Sequence, residues 1–296
     1  MNRNLVHPLK VLIPKLREQR AIAHVLRTVQ RAKEATEKVI AATRQLKASL
    51  MRYLFTYGPV QVGEAERVRL KESEIGVVPE HWKIGALVDS LREPLRNGHS
   101  ARATNTSEGI RTLILTAVTK NDFSIQNTKL TVAEPDRVRD LWLKPGDILI
   151  ERANTPEYIG LAALYEGKEG YAIFPDLMVR VRAEERLVRP RFLAEFLLTE
   201  PCRNHFRSNA RATTGNFPKI DHGTIERTRI PMPPIDEQDA ITHALLRVEV
   251  KAKAERSRAR CLEILFSSLL HHLMTGKLRV RDLDPTDHSH DGTAAG

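Results

Sequence analysis

Apolar residues recur every three or four positions in two long segments of this chain, one towards each end of the sequence. In the later segment one charged residue, Glu255, interrupts a stripe formed by Ile241, Leu245, Val248, Ala252, Ala259, Leu262, Phe266, Leu269 and Leu273. In the earlier segment the apolar positions are Ile22, Leu26, Val29, Ile40, Leu50 and Leu54. Polar residues loosen the middle of that stripe, at Lys33, Thr36, Thr43 and Lys47. This spacing predicts two α-helices, each of which needs a partner helix for its apolar face.

The two segments are copies of one another. At an offset of 219 positions Pro14 falls on Pro233, and Glu18-Gln19 falls on Glu237-Gln238. The alignment continues without a gap across about forty residues, so it includes helix-start residues as well as the apolar stripe. We interpret it as an internal duplication that produces two matching helices, each about 57 Å long at a rise of 1.5 Å per residue. The simplest arrangement is an antiparallel coiled coil, and a packed helix pair without a spacing role is the alternative.

The sequence between the two helices has a shorter period. Runs of apolar and β-branched residues at 111–118, 146–151, 159–165 and 177–182 are separated by Gly, Pro, Asn and Asp. Such runs are typical of strands joined by turns. The stretch 189–209 instead carries apolar residues at helical spacing. We therefore predict an α+β fold, in which one mixed α/β globular domain is flanked by two long helices that pair as an antiparallel coiled coil.

The charge balance indicates the class of partner. The chain has 47 Lys and Arg against 37 Asp and Glu, a net charge of +10. Such an excess favours an anionic partner, most commonly nucleic acid. Two cysteines, Cys202 and Cys261, are too few for a disulfide framework or a four-ligand zinc site. No apolar run resembles an export signal or a membrane span, so we expect a cytoplasmic protein with no membrane partner.

Four segments between and beside the duplicated helix starts resemble parts of the specificity subunits of type I restriction–modification enzymes. Ile75-Gly-Val-Val-Pro-Glu-His-Trp-Lys resembles the start of a target-recognition domain, and Leu143-Lys-Pro-Gly-Asp-Ile-Leu-Ile-Glu-Arg-Ala-Asn resembles its internal strand–turn segment. Thr213-Thr-Gly-Asn-Phe-Pro-Lys-Ile and Arg229-Ile-Pro-Met-Pro-Pro-Ile-Asp-Glu-Gln resemble the passage from that domain into a conserved helix. A typical family member has two recognition domains, so the resemblance implies a half-size or truncated subunit.

The resemblance also gives the domain limits. It implies the end of a preceding recognition domain (1–17), a first conserved long helix (18–57), a target-recognition domain (66–235) and a second conserved long helix (236–276). The last stretch, 282–296, is polar and aperiodic, and we expect it to be a disordered tail.

By resemblance, the chain is a non-catalytic specificity subunit that binds double-stranded DNA and directs methyltransferase and restriction/translocase subunits to a bipartite target. S-adenosylmethionine, and Mg²⁺ with ATP, would belong to those partner subunits, so we expect no cofactor and no metal here. The resemblance places the methyltransferase contact at the Pro-Glu-Gln ends of the helices. These subunit-contact residues are Pro233, Glu237, Gln238, Glu18 and Gln19. A homodimer, pairing with another specificity chain, and a monomer whose own helices pair all stay open, as do the target bases.

No catalytic constellation stands out from the sequence. A glycine-rich phosphate loop and the signature of an adenine methyltransferase are both absent. Two acidic pairs, Asp147 with Glu151 and Asp176 with Glu184, lack the lysine that a Mg²⁺-dependent nuclease site of this type requires. We therefore predict no catalytic residue. An autonomous nuclease and a coiled-coil protein that associates with DNA without sequence preference are the alternatives.

DNA contact is the chemistry that these residues can supply. Lys and Arg on phosphates give affinity, and Arg, Asn, Gln or Lys at base edges give discrimination. Loops project such side chains from a rigid sheet, so we look for basic and amide residues beside Gly, Pro or Ser. The predicted DNA-binding residues are Arg96, Asn97, Arg102, Lys120, Arg152, Asn154, Arg211, Asn216 and Lys219. Arg203 and Arg207, four positions apart on the predicted helix, are either phosphate ligands or part of its solvated face.

Overall fold

A computed structural model describes residues 13–212 and 218–280. The chain divides into two compact units. One, the helical unit, combines Met1–Ala48 with Arg247–Gly296, and the other, the mixed unit, is Ser49–Leu246. The predicted tail at 282–296 and most of the predicted segment 1–17 lie outside the described residues.

The α-helices in chain order are α1 (Leu16–Tyr57), α2 (Thr116–Thr119), α3 (Pro135–Val138), α4 (Pro190–Leu197), α5 (Glu200–Asn209), α6 (His222–Glu226) and α7 (Ile235–Met274). The 3₁₀ helices are Val62–Arg67, Leu87–Ser90, Ile125–Asn127 and Arg139–Leu141. The strands are β1 (Leu70–Lys71), β2 (Val78–Pro79), β3 (Lys83–Ala86), β4 (Arg96–Asn97), β5 (Ile110–Leu113), β6 (Thr128–Thr131), β7 (Ile148–Glu151), β8 (Ala162–Leu164), β9 (Met178–Val181), β10 (Arg211–Ala212), β11 (Pro218–Lys219) and β12 (Arg229–Met232). Within the described ranges, no helix has an apolar stretch long enough to cross a bilayer.

Helices α1 and α7 pair antiparallel in the helical unit. Lys47 Nζ lies 2.5 Å from Glu249 Oε1. Lys33 forms an ion pair with Glu263, and its ammonium lies 5.0 Å from the centroid of the Phe266 ring. Residue numbers therefore rise along α1 as those of their partners fall along α7, which confirms the antiparallel pairing predicted from the duplicated stripe.

Three polar residues inside the apolar stripes form hydrogen bonds within their own helices. The hydroxyls of Thr36 and Thr43 are buried and donate to the backbone carbonyl four residues earlier, at 2.8 and 2.7 Å. Glu255 is also buried, and its carboxylate accepts a hydrogen bond of 2.5 Å from Lys251 Nζ one turn earlier. The two hydroxyls are thus fully accommodated within the stripe, and Glu255 keeps one hydrogen bond there.

The mixed unit is built on a four-stranded antiparallel sheet with the strand order β4-β9-β7-β8. The central strands β7 and β9 pair in a register that sets Ile148 opposite Val181. Because successive side chains point to opposite faces, Ile148 and Ile150 enter one hydrophobic core and Leu149 enters a second. Both faces of the sheet are covered, and this explains why the sequence of β7 is a continuous apolar run.

Four two-stranded antiparallel sheets complete the strand pairing among the described residues: β1-β2, β3-β12, β5-β6 and β10-β11. The β5-β6 pair covers the second core, and β3-β12 lies beside the point where α7 begins. The chain thus combines long helices with a mixed unit of short helices and antiparallel sheets, which confirms the predicted α+β fold class.

The ends of both long helices belong to the mixed unit. The ring of Phe55, near the end of α1, lies 5.4 Å from that of Phe192 and 5.5 Å from that of Phe196. Ile241, near the start of α7, is fully buried in the same core. Helix α1 ends just before Gly58, whose φ of +78° is a left-handed conformation that glycine adopts without strain. The mixed unit therefore includes the end of α1 and the start of α7, because these helix ends complete its core, while the limits of 66 and 235 for a recognition domain stay a prediction.

Candidate nucleic-acid interface

Two loops that are far apart in the sequence form one surface of the mixed unit. Ala153 makes an isolated antiparallel β-bridge with Lys219, and the Ile220 amide donates to the Arg152 carbonyl at 2.9 Å. In the β10-β11 pair, Arg211 lies opposite Lys219. The predicted clusters around residue 152 and residues 211–219 are thus adjacent.

A third predicted cluster joins them through α6, which follows β11 almost directly. The first residue of α6, His222, donates from Nε2 to Asn97 Oδ1 at 2.8 Å. Asp221 caps this short helix by accepting a hydrogen bond of 2.6 Å from the Thr224 amide. The cap fixes the start of α6 and so holds the His222 ring against the end of β4.

Strand β4 forms an edge of the central sheet, and Gly98, directly after it, lets the backbone there lie close to the backbone of residues 174–175. A Cβ at position 98 would lie 2.1 Å from the Phe174 carbonyl oxygen and 2.3 Å from that of Pro175. The His99 amide donates to the same Phe174 oxygen at 2.9 Å. Only glycine permits this close backbone contact, which positions the exposed Arg96 and Asn97 just before it.

The surface formed by these three clusters is basic and accessible, and we call it the basic edge. Its exposed members are Arg96, Asn97, Arg211 and Lys219, and Arg152 is half-buried beside them. Burial lowers the pKa of His222, and the positive charge of Arg152 lowers that pKa further. The imidazole is therefore neutral at pH 7, and the positive charge of the basic edge comes from guanidinium and ammonium groups.

Asn154 has a different environment from the other predicted DNA-binding residues. Its side chain is buried, and its amide nitrogen donates to the carboxylate of Glu151. Its Oδ1 accepts a hydrogen bond of 2.7 Å from the Thr155 amide. Both polar atoms of the Asn154 side chain are thus used inside the protein, where they brace the loop that carries Arg152.

Glu151 and Arg203 hold the same loop from beneath. Glu151 is fully buried, and this burial raises the pKa of its carboxyl to about 7. The buried guanidinium of Arg203 donates to the carbonyls of Ile159 and Glu157 at 2.5 and 2.7 Å. Arg203 therefore fits neither of the two alternatives drawn from the sequence, a phosphate ligand or part of a solvated helix face, because its donors are buried on backbone carbonyls. The helical spacing in the sequence shows which face of the helix carries Arg203, but it does not show that other parts of the chain cover this face.

Two further predicted residues, Arg102 and Lys120, lie around the second core instead. The Arg102 carbonyl accepts from the Val132 amide at 3.0 Å, beside the end of β6. Lys120 follows the last residue of α2 and precedes Asn121, which has a φ of +48°. Both side chains are exposed. Asn216 lies outside the described residues.

The predicted subunit-contact residues of α7 fasten that helix to its own domain. Glu237 accepts hydrogen bonds of 2.9 Å from Trp82 Nε1 and 2.7 Å from His81 Nε2. Gln238 is fully buried; its Oε1 accepts from the Arg189 amide at 2.8 Å, and its Nε2 donates to the Leu187 carbonyl at 3.0 Å. The Gln238 side chain is therefore closed to any other subunit. In the sequence, Trp82 is the residue that indicates such a contact, because the indole N–H of a buried tryptophan requires an acceptor.

The duplicated residues of α1 repeat one of these contacts within the helical unit. Gln19 Nε2 donates to the Pro14 carbonyl at 2.8 Å, and Gln238 Nε2 donates to the Pro233 carbonyl at 2.9 Å. Unlike Gln238, Gln19 is exposed. Glu18 lies 3.8 Å from Arg279. The local geometry of the helix start thus follows the sequence repeat, while the surroundings of the two copies differ.

The acidic residues weighed as a nuclease site have structural partners. Asp147 accepts hydrogen bonds from Arg182 Nε at 2.5 Å and from the Lys144 amide at 2.9 Å, as a turn residue does. Asp176 pairs with the Ser100 hydroxyl. Within residues 13–212 and 218–280, no group of three or more His, Cys, Asp or Glu side chains is arranged to hold a metal ion.

No protein-family model matches this chain, but known proteins are similar to it in sequence and in fold. The "Putative type I restriction enzyme MjaX specificity subunit" of Methanocaldococcus jannaschii is 32% identical over 178 residues, which cover 59% of this chain and 41% of the relative. The type I restriction enzyme MjaVIII specificity subunit of the same organism is 23% identical over 288 residues, covering 96% of this chain and 65% of the relative. The chain thus spans less than two thirds of the length of either relative.

A solved structure shows the same fold. The crystal structure of a type I restriction–modification system S subunit from M. genitalium matches with a TM-score of 0.57 at 13% identity. The match covers 88% of this chain and 61% of that chain, so it includes long helices as well as the domain between them. The chain is thus similar in sequence to two specificity subunits of type I restriction enzymes, and similar in fold to the M. genitalium S subunit.

Proposed function

We propose that this chain binds double-stranded DNA with sequence preference through the basic edge and is not itself an enzyme. The observation that carries the proposal is the meeting of three sequence-distant clusters on one accessible surface. That surface presents guanidinium, ammonium and amide groups, which are the donors that contact DNA phosphates and base edges. A rigid sheet buried on both faces holds these loops in place, as discrimination between bases requires.

The proposal predicts a measurable preference among DNA sequences. Enrichment from a random duplex library, with the full chain and its methyltransferase subunit together, should return one short motif. Anisotropy with the enriched duplex should then give tighter binding than with a scrambled duplex of equal length, and both affinities should fall steeply with salt. Equal affinity for both duplexes at every salt concentration would contradict the proposal.

A matched pair of variants tests the surface itself. We expect Arg211→Gln with Lys219→Gln to weaken binding of the enriched duplex by about five- to hundredfold, the range for losing one good base contact. The control, Arg67→Gln with Lys168→Gln, removes the same charges from exposed positions outside the basic edge. Equal losses in both pairs would show that only net charge matters, and this result would favour DNA association without sequence preference.

We also propose that the partners of this chain are the methyltransferase and restriction/translocase subunits of a type I system. S-adenosylmethionine, and Mg²⁺ with ATP, would then be bound by those subunits. In support, the helical unit exposes apolar side chains that its own helix pair does not cover. Leu46 and Leu265, which occupy the same position of the duplicated sequence, are 56% and 44% exposed.

This proposal has its own test. We expect Leu46→Lys with Leu265→Lys to reduce co-purification of the methyltransferase subunit while the helical content stays the same by circular dichroism. Incubation of the purified chain with plasmid and Mg²⁺ tests the nuclease alternative separately. Cleavage of the plasmid would contradict the proposal that the chain is not itself an enzyme.

A further inference from the structure

A cleft of about 490 Å³ lies in the mixed unit, beside the edge strand β4. Five cationic side chains line it, against the carboxylates of Glu93 and Asp140. The five are Arg96, Arg139, Lys144, Arg180 and Arg182. Cations thus outnumber carboxylates in the lining, and their charge concentrates in one concave place.

Two of the guanidiniums form the buried wall of the cleft. Arg180 is 3% exposed; it donates to Glu93 Oε1 at 3.0 Å and to the Asp140 carbonyl at 2.9 Å. Its Nε has no hydrogen-bond acceptor among the residues that the structure describes. Arg182 donates to the same Glu93 oxygen at 3.2 Å and to Asp147. Two guanidiniums therefore share the single carboxylate of Glu93.

The other three cations lie at the rim. Arg96, on the edge strand β4, lies directly opposite Arg180 on the neighbouring strand β9, so the two residues are cross-strand neighbours. Arg139 and Lys144 have side chains that are 77% and 50% exposed. Their nearest carboxylates, at 3.9 Å and 3.0 Å, are themselves exposed, and such solvated ion pairs hold charge only weakly. The rim cations are thus available to an incoming anion.

We propose that this cleft binds a phosphate group, and that the phosphate is a backbone phosphodiester of the bound DNA. Planar guanidiniums donate in a fork that matches phosphate oxygens, and several of them converge here. Arg96 belongs both to the lining of the cleft and to the basic edge, so a duplex on that edge passes close to the cleft. The DNA assignment rests on the proposed function, whereas phosphate binding by the cleft does not. Free inorganic phosphate is the other source of the same chemistry.

The first experiment uses inorganic phosphate alone. The full chain, the cleft variant Arg139→Gln/Lys144→Gln and the control Arg137→Gln/Lys168→Gln are titrated with phosphate at constant ionic strength by calorimetry. All four residues are exposed, and the buried wall is unchanged in both variants. We expect the wild type and the control to bind phosphate alike, and the cleft variant to bind at least about tenfold more weakly, as expected for a lost charge-assisted hydrogen bond. Equal phosphate binding by all three proteins, or none by the wild type, would overturn the proposal.

The second experiment measures DNA affinity against salt for the same three proteins. A phosphate contact carries no sequence information, so the cleft variant should lose affinity equally for the enriched and scrambled duplexes. The slope of log affinity against log salt should fall in magnitude by about one, while the control keeps the wild-type slope. A lost phosphate site with an unchanged slope would assign the cleft to free phosphate and overturn the DNA assignment. If the wild type binds DNA without sequence preference, the proposed function is contradicted. The titration with inorganic phosphate then still tests whether the cleft binds phosphate.

Discussion

The indole Nε1 of Trp82 donates a hydrogen bond of 2.9 Å to the carboxylate of Glu237. Trp82 is fully buried in the first core, whereas the Glu237 side chain keeps 21% of its surface exposed at the start of α7. The buried indole N–H of a domain residue therefore has its acceptor on the long helix. This bond fixes the helix start against the domain.

We expect Glu237→Ala to lower the free energy of unfolding by about 1–3 kcal/mol, because it leaves the Trp82 N–H buried without an acceptor. Urea denaturation monitored by tryptophan fluorescence measures the change. The control, Glu185→Ala, removes an exposed carboxylate and should stay within about 0.5 kcal/mol of the wild type. If Glu237→Ala costs as much in a Trp82→Phe background, the hydrogen bond is not the source of the effect.

Gly98→Ala should disturb both stability and DNA binding. The added Cβ meets two backbone carbonyl oxygens, which have no flexible side chain to move aside, so we expect a loss of about 1–3 kcal/mol. Gly63→Ala is the control, because a Cβ there meets nothing within 4 Å. Thermal melts and anisotropy compare the two variants. Wild-type values for Gly98→Ala would show that the approach of β4 to residues 174–175 is not needed.

Glu151 should make stability depend on pH. Burial raises the pKa of its carboxyl from 4.5 to about 7 in the folded protein, so the folded state holds a proton that the unfolded chain releases above about pH 4.5. This contribution is fully present below pH 4.5 and is lost as the pH rises through about 7. Gln at position 151 is always neutral. Between pH 4.5 and about pH 7 we therefore expect the free energy of unfolding of Glu151→Gln to rise relative to that of the wild type. Above about pH 7 the difference between the two proteins should stay constant. Urea midpoints measured from pH 4.5 to pH 8 check this, and a pH-independent difference would contradict it.

Glu255 interrupts an apolar stripe, and its Oε2 is buried without a hydrogen-bond partner among the described residues. We expect Glu255→Leu to raise the melting temperature, because an apolar side chain at a buried seam position avoids the desolvation of a carboxylate. Lys253→Leu adds the same side chain at an exposed position and should give no gain. An equal or lower melting temperature for Glu255→Leu than for Lys253→Leu would show that the carboxylate belongs in the seam.

The sequence was sufficient to predict the long helices and their antiparallel pairing, because both depend on local periodicity and on a repeat without gaps. The strand–turn character of 146–151 was also predictable, since buried strands are apolar runs. The extent of the compact unit was not, because Phe55 and Ile241 lie on helices whose stripe continues unchanged from one unit into the other. Periodicity shows that a face is covered, but not which element covers it.

The site was predictable in its residue types more than in its arrangement. The sequence marks Arg96, Arg152, Arg211 and Lys219 as basic residues close to Gly, Pro or Asn. The pairings that bring the three clusters together, such as Ala153 with Lys219, are not encoded in any local pattern. Asn154 shows the limit most clearly. Its amide and its loop position match those of a base-contacting residue, yet Glu151, three positions earlier, is buried beneath it and binds its amide.

The burial of β7 and β9 on both faces has an evolutionary consequence. Arg211 and Lys219 belong to neither hydrophobic core, so substitutions there change the donors of the basic edge with little effect on folding. Under the proposed function, selection for a new target sequence can act on these side chains while the scaffold is retained, and diversity among relatives is expected to accumulate there first.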